Sequence, residues 1–457
     1  MLRMLMAGTW CLAVVACTAS TVRAQCTADW DRSIGQPGVD VASLRKGLAV
    51  ADLGDGSEVV ISGRFSSVGG VPANGNARWN PTDGWRTFGT SGLTSASGSV
   101  LGSNVATTFR GDFVAGGGFA FADGEPVSGI ARFEVSPEGG FWDALNGGVD
   151  GQVLGLRVLE FEGEELLFVG GTFSTAGGGA VTSPGVAAWD GNAWRGFGDG
   201  VLGSVNDFMI YDDGSGPSLY IAGRFTVPGG GNGNLARWNG SGFEEVGGGL
   251  GGGASPRGNS LAIYDFGDGD ELVVGGNFLF AGRLDADSIV RWDGREFENV
   301  GDGFDNTVTT LVVEDVGDGE RLYAGGSFIL SGIEAVFGLA SWDGGSWQTV
   351  GDGVSGGSVP GVAAAVAYDL PGVGNALVVT GGFSFAGFDE ARNIAIWACG
   401  GACRADIDGD GSLTIFDFLG FQNLFQDGDL AADFDGDGEL TIFDFLMFQN
   451  EFDARCE

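Results

Sequence analysis

Two stretches near the C-terminal end place oxygen donors at a spacing that suits a metal ion. The first contains Asp406, Asp408 and Asp410, then Gly411, Ser412, Thr414 and Asp417. The second repeats the series as Asp433, Asp435, Asp437, Gly438, Glu439, Thr441 and Asp444. Counting each initial Asp as position 1, carboxylates stand at 1, 3, 5 and 12, the residue at 7 offers its backbone carbonyl, and Gly at 6 permits a sharp turn. That is the ligand order of a twelve-residue calcium loop, and a hard cation favours such an all-oxygen donor set. Two Ca2+ ions are expected, one per loop. Residues 406–425 and 433–452 differ only where Ile407, Ser412, Gly420 and Leu424 align with Phe434, Glu439, Met447 and Glu451. Position 12 is Asp in both copies, where Glu is the usual ligand. The bland alternative is an acidic loop without metal, and two copies in register argue against it.

Each loop needs an element to hold it. Apolar residues follow at helical spacing, Ile415, Phe418, Leu419 and Phe425 in the first copy and Ile442, Phe445, Leu446 and Phe452 in the second. The expected unit is therefore loop then helix, twice, with no comparable helix ahead of either loop.

The remainder of the chain has another character. Of 457 residues, 89 are glycine, far above the usual share of roughly 7%. Yet 43% are hydrophobic, with 34 Phe and 12 Trp, enough for a large core. Acids number 60 against 22 Lys and Arg, a formal charge of -38, which disfavours nucleic acid and anionic lipid surfaces as partners. Histidine is absent. This excludes Ser-His-Asp and Cys-His nucleophiles and every imidazole metal ligand.

A unit of about 50 residues recurs, marked by small residues before a Phe: Phe65, Phe119, Phe173, Phe225, Phe278, Phe328 and Phe383. A period of this size built from short strands is the mark of propeller blades. The sixth copy shows four strands, residues 308–314, 321–328, 338–342 and 346–350. Trp189-Asp190-Gly191, Trp238-Asn239-Gly240, Trp292-Asp293-Gly294 and Trp342-Asp343-Gly344 join the third strand to the fourth, and their Asp-Gly or Asn-Gly pairs are expected to form type I′ hairpin turns. The last copy stops after Trp397, while Trp30-Asp31 near the N-terminus reads like Trp347-Gln348. The expected fold is mainly all-β, a seven-bladed β-propeller over residues 25–401 closed by the N-terminal strand, plus a small α-helical calcium-binding domain over 402–457.

Residues 1–24 read as a signal peptide, with Arg3, an apolar stretch and small residues ending at Ala24. A secreted, extracellular or cell-surface protein is expected; lipidation at Cys17 is the rival reading. No later run reaches the length of a membrane-spanning helix. Cleavage leaves Cys26, Cys399, Cys403 and Cys456, which allow three disulfide connectivities. The strand order favours Cys26 with Cys399, locking the ring, and Cys403 with Cys456, bracketing the tail.

The tandem loop-helix tail, bounded by Cys403 and Cys456, resembles a dockerin, in the GC-type form found at the C-termini of exported planctomycete proteins. It departs from that pattern in ending Ala454-Arg455-Cys456-Glu457. The blade repeats resemble those of cortical polarity markers and, more loosely, kelch-type propellers; kelch-like copper oxidases need histidine ligands that this chain lacks. The dockerin resemblance implies a calcium-dependent plug for a cohesin-like receptor or surface scaffold protein. It also implies partner contact around loop positions 10 and 11, here Ile415, Phe416, Ile442 and Phe443, residues that could equally be core. The near-identity of the copies would permit two binding orientations. The preferred function is a non-enzymatic, exported recognition or structural propeller displayed through this anchor. The alternative is a carbohydrate-active protein, a glycoside hydrolase or polysaccharide binder with a glycan on the propeller. No catalytic pair can be chosen among 60 acids, and no unit carries an inserted polar loop that breaks the repeat.

Overall fold

The computed structural model describes residues 28–453, apart from 32–33, 35–37, 44, 137–138, 232, 318, 358–359, 372, 400–404, 406, 408–413, 433 and 435–439. The leader (1–24), Cys17, Cys26, Cys403 and Cys456 lie outside the described residues.

Apolar runs that continue on both faces of a strand must be covered from both sides. Such runs form the second strand of each repeat: Glu164–Gly171, Asp270–Asn277 and Gly374–Gly381 are buried along nearly their whole length. The first strands are β2 (Leu48–Asp52), β3 (Val105–Phe109), β4 (Val153–Phe161), β5 (Leu202–Asp212), β6 (Arg257–Asp265), β7 (Val308–Asp315) and β8 (Val362–Leu370), preceded in the chain by β1 (Ala28–Asp31). Each of β2 to β8 begins a four-stranded antiparallel sheet. In the sixth copy the strands are Val308–Asp315, Glu320–Gly326, Leu339–Trp342 and Trp347–Thr349, within two residues of the sequence reading. Short two- and three-stranded sheets fill the connections.

The sheet begun by β8 takes its outer strand from the other end of the chain. Its third strand, β9 (Ile394–Cys399), pairs with β1, so that Ala28 stands opposite Cys399 and Trp30 opposite Trp397. The two indoles meet edge to face at 5.2 Å, much as Trp342 and Trp347 do at 5.4 Å in the preceding sheet. The sheets begun by β2 and β8 also pack together. Val59 and Trp79 share a core cluster with Tyr368 and Val378, and the Tyr368 hydroxyl donates to the Ser57 carbonyl at 3.2 Å.

The recurrent small residue and Phe are explained by this packing. All seven Phe side chains are buried. A Cβ on Gly171 would lie 1.9 Å from the Gln152 carbonyl oxygen, and one on Gly276 would lie 2.2 Å from that of Arg257. Gly171→Ala is therefore expected to cost about 1–3 kcal/mol through overpacking. The check is the urea unfolding midpoint, and a midpoint equal to that of the parent would contradict this account.

The turn chemistry differs from expectation. Gly191, Gly240, Gly294 and Gly344 have positive φ, but the Asp or Asn before each does not, so these are not type I′ turns. Instead the preceding side chain caps the turn: Asp190 Oδ1 accepts from the N–H groups of Asn192 and Ala193, both at 2.7 Å. Asp293 and Asp343 do the same. The side-chain acceptor replaces the backbone geometry that a two-residue turn would need. Between first and second strands, Asp52, Asp265 and Asp315 hold the two glycine N–H groups of each Gly-x-Gly turn in the same way.

Candidate metal centre

The expected helices are present as α1 (Ile415–Asp427) and α2 (Ile442–Asp453). Thr414, with extended backbone angles, caps α1: its hydroxyl accepts from the Phe416 N–H at 3.1 Å, and its own N–H donates to Asp417 Oδ2 at 2.8 Å. This is a capping box, in which the side chain three positions into the helix reaches back to the cap. The second copy repeats it. Thr441 accepts from the Phe443 N–H at 3.1 Å and donates its N–H to Asp444 Oδ2 at 2.6 Å. Asp444 Oδ1 also accepts from the Phe434 N–H at 2.8 Å, tying the start of the loop to the start of its helix. Gly428, left-handed at φ 72°, ends α1 and donates to the Leu424 and Phe425 carbonyls.

The helices pack through equivalent residues. Phe421 and Phe448 stack at 4.1 Å with planes 8° apart, and Phe434 meets both edge to face. With Ala405 and Ala432 they form a core separate from those of the sheets. Of the apolar residues at helical spacing, Leu419 and Leu446 are exposed. One face is enough for so small a core, and Phe421 and Phe448 occupy it.

The two position-12 carboxylates, Asp417 and Asp444, are fully buried, each at 0% exposure. Burial of two carboxylates at the same place in both copies is costly unless positive charge or hydrogen bonds compensate it. The other expected ligands, Asp406, Asp408, Asp410 and Ser412 in the first loop and Asp433, Asp435, Asp437 and Glu439 in the second, lie outside the described residues. Among the described residues no cluster of three acidic, Cys or His side chains stands together. The donor set nevertheless fits calcium in kind, because every member is an oxygen and the two described ones are pre-oriented by their caps. Loop positions 10 and 11 do not enter the core: Ile415, Phe416, Ile442 and Phe443 are 62%, 68%, 62% and 64% exposed.

Of the four cysteines, only Cys399 is among the described residues, at the end of the β1–β9 ladder.

One arrangement escaped the sequence reading. Arg78, Arg132, Arg237 and Arg291 each precede the third-strand Trp or Phe and sit between acids of neighbouring strands. Arg237 bridges Asp213 and Glu244, with Tyr220 donating to Asp213 at 2.9 Å. Arg291 bridges Glu271 and Glu298, and Arg78 joins Asp55 to Glu58. The recurring Arg-Trp and Arg-Phe pairs were the available signal. Because the motif recurs with its acids engaged, its first role is to clamp strands.

No protein-family model matches this chain, and no curated protein matches it. Solved structures similar to it include the extracellular domain of the putative one component system BT4673 from B. thetaiotaomicron, at 10% identity and a TM-score of 0.44 over 82% of this chain and 40% of that one. Sqt1 from Saccharomyces cerevisiae is similar at 9% identity and a TM-score of 0.43, over 79% of this chain and 96% of that one. The WD40 beta propeller domain of Doa1 is similar at 10% identity and a TM-score of 0.29, over 63% and 93%. The chain spans about two fifths of the BT4673 domain. The protein is a mainly β chain of many small sheets followed by a helical pair. Among the described residues no helix is long and apolar enough to cross a membrane.

Proposed function

We propose that the seven four-stranded sheets are the blades of a closed β-propeller, with β1 completing the last blade, and that the helical pair is a dockerin-like anchor stabilised by two calcium ions. The closure reading is supported by the β1–β9 ladder and by the packing of the first sheet on the last. The anchor reading is supported chiefly by one observation: the same two apolar residues of each copy, Ile415 and Phe416, Ile442 and Phe443, are exposed directly before a buried acid.

When bound, calcium would supply positive charge to the loop carboxylates of residues 406, 408, 410 and 417 and of 433, 435, 437 and 444, with Ser412 and Glu439 offering carbonyls. The protein's own residues do the rest. Asp417 and Asp444 fix the first turn of each helix, the caps orient those turns, and the phenylalanine stack holds the two helices as a unit. That leaves two equivalent apolar patches outside, a surface suited to a cohesin-like or surface scaffold protein. The propeller is then the displayed part, non-enzymatic and exported, with a glycan as a candidate ligand.

The test is a pull-down from the native cell envelope with the full chain, in calcium and after chelation. Calcium-dependent capture of one scaffold protein is expected, and the quadruple change of Ile415, Phe416, Ile442 and Phe443 to Asp should lower it at least about tenfold, since exposed apolar anchors dominate such interfaces. Equal capture by the altered protein would sink the docking reading. Release of reducing sugar from polysaccharides by the same preparation would favour the glycoside hydrolase instead.

A further inference from the structure

The first strands β2 to β8 together line a cavity of about 670 Å³, within the range usual for small-ligand sites. Most of its wall is Ala, Val, Leu and Thr, and a connected polar cluster interrupts it. Arg157 donates to both oxygens of Asp207 at 3.0 Å and to the Leu261 carbonyl at 3.1 Å. Asp207 also accepts from the Leu261 N–H at 2.8 Å and the Ser260 hydroxyl at 3.3 Å. Its charge is thus matched by Arg157 and its oxygens are occupied. Lys46 donates from Nζ to the Asn259 carbonyl at 2.5 Å and forms no ion pair among the described residues.

Lys46 is the sole lysine of a chain with formal charge -38. It also breaks the repeat. Aligned on the paired second strands, the same position in the sheets begun by β4 to β8 is Leu154, Asn206, Asn259, Thr309 and Ala363, none of them charged. In a symmetric wall, a site for one asymmetric ligand must lie where the symmetry fails. Lys46 is half-buried, and an ammonium held partly away from water without an ionic partner is costly. Burial pushes this ammonium below its ordinary pKa, with Asp207 opposing the shift and Arg157 adding to it.

We propose that the cavity binds a small organic monocarboxylate, anchored by Lys46. The local charge selects the valence: Arg157 and Asp207 cancel as a pair, which leaves one positive charge at the Lys46 end for one negative group, while Glu314, the remaining charged residue of the wall, stands at the far end of β7. A phosphate dianion would exceed the single charge of Lys46 by one. The volume selects an organic anion, up to the size of a sugar acid, over a bare halide. Asn206 at the wall donates its Nδ2 to the Gly258 carbonyl at 2.9 Å, and its Oδ1 is the acceptor offered to the rest of such a molecule. The proposal goes beyond the anchoring role of the tail and stands whether or not the tail binds calcium.

The single lysine makes the test specific. The full chain is acylated with an N-hydroxysuccinimide ester, and the rate of Lys46 modification is followed by peptide mass spectrometry at constant ionic strength. Sodium glucuronate is expected to slow it at least tenfold at saturation, while glucose and sodium chloride leave it unchanged. Isothermal titration of the unmodified protein should show saturable glucuronate binding, lost in a Lys46→Met variant that melts like the parent. Equal protection by glucose or chloride, or absence of binding heat in the parent, overturns the proposal. So does undiminished glucuronate binding by Lys46→Met.

Discussion

Amide hydrogen exchange over residues 415–427 and 442–453 is expected to accelerate by orders of magnitude when calcium is stripped from the full chain, with exchange in the β-sheets unchanged. The two helices have 13 and 12 residues, a length at which isolated helices are marginal in water. Among the described residues their shared core holds five buried apolar side chains, Ala405, Phe421, Ala432, Phe434 and Phe448, and a core so small needs a staple. Without a cation, the four carboxylates of the first loop and the five of the second repel one another, and one in each loop is buried. Asp444→Ala should act in the same direction even with calcium present. It leaves the N–H groups of Phe434 and Thr441 without the acceptor they use, at about 1–3 kcal/mol for each buried donor. Hydrogen exchange mass spectrometry reads both experiments on the intact protein. Protection that survives chelation would remove calcium from the account of this segment.

Trp30→Ala is expected to destabilise the sheet assembly by about 3–5 kcal/mol, the usual range for truncating a buried Trp. Trp30 is buried and meets Trp397 edge to face, which ties β1 to the third strand of its sheet. Its loss would free an edge of β9, where unpaired backbone groups invite pairing with another chain. The unfolding midpoint in urea should fall, and dimers should appear on gel filtration. Non-reduced peptide mapping is the companion measurement: it is expected to join Cys26 to Cys399 and Cys403 to Cys456. Such a link between chain ends stabilises by restricting the unfolded chain, by several kcal/mol in the entropy model. A Trp30→Ala protein as stable as the parent, with Cys26 free, would remove closure by β1 from the fold.

How far the sequence carried depended on what repeats. Period and composition located the four strands of the sixth copy within two residues, because Phe328 and Trp342 recur in every or nearly every copy and packing keeps them there. The pairing of Trp30 with Trp397 was readable for the same reason, since one missing strand and one extra strand are complementary. The turns were misread because Asp-Gly has two solutions. A backbone turn needs positive φ at both residues, whereas in Asp190 the side chain takes over as acceptor, and only neighbouring geometry decides between them. In the tail, spacing put the first turn of each helix correctly, but a period cannot say which of Leu419 and Phe421 meets the partner helix. Lys46 was invisible as a site for the opposite reason. It occurs once, and its surroundings come from β4, β5 and β6, more than a hundred residues away in the chain.

The placement of β1 also sets an order of events. A ladder between residues 28 and 399 joins the most distant parts of the described β-structure, and contacts of such sequence separation form late and slowly. The strand synthesised first must wait, unpaired, until β9 exists. Throughout that interval the edges of the unfinished sheet array are open to other nascent chains, so the hazard of misassembly is concentrated in the last step of folding. Six sheets complete themselves from adjacent sequence, and the seventh acts as a checkpoint: a chain truncated between residues 381 and 394 keeps those six sheets whole and lacks β9, the partner of β1.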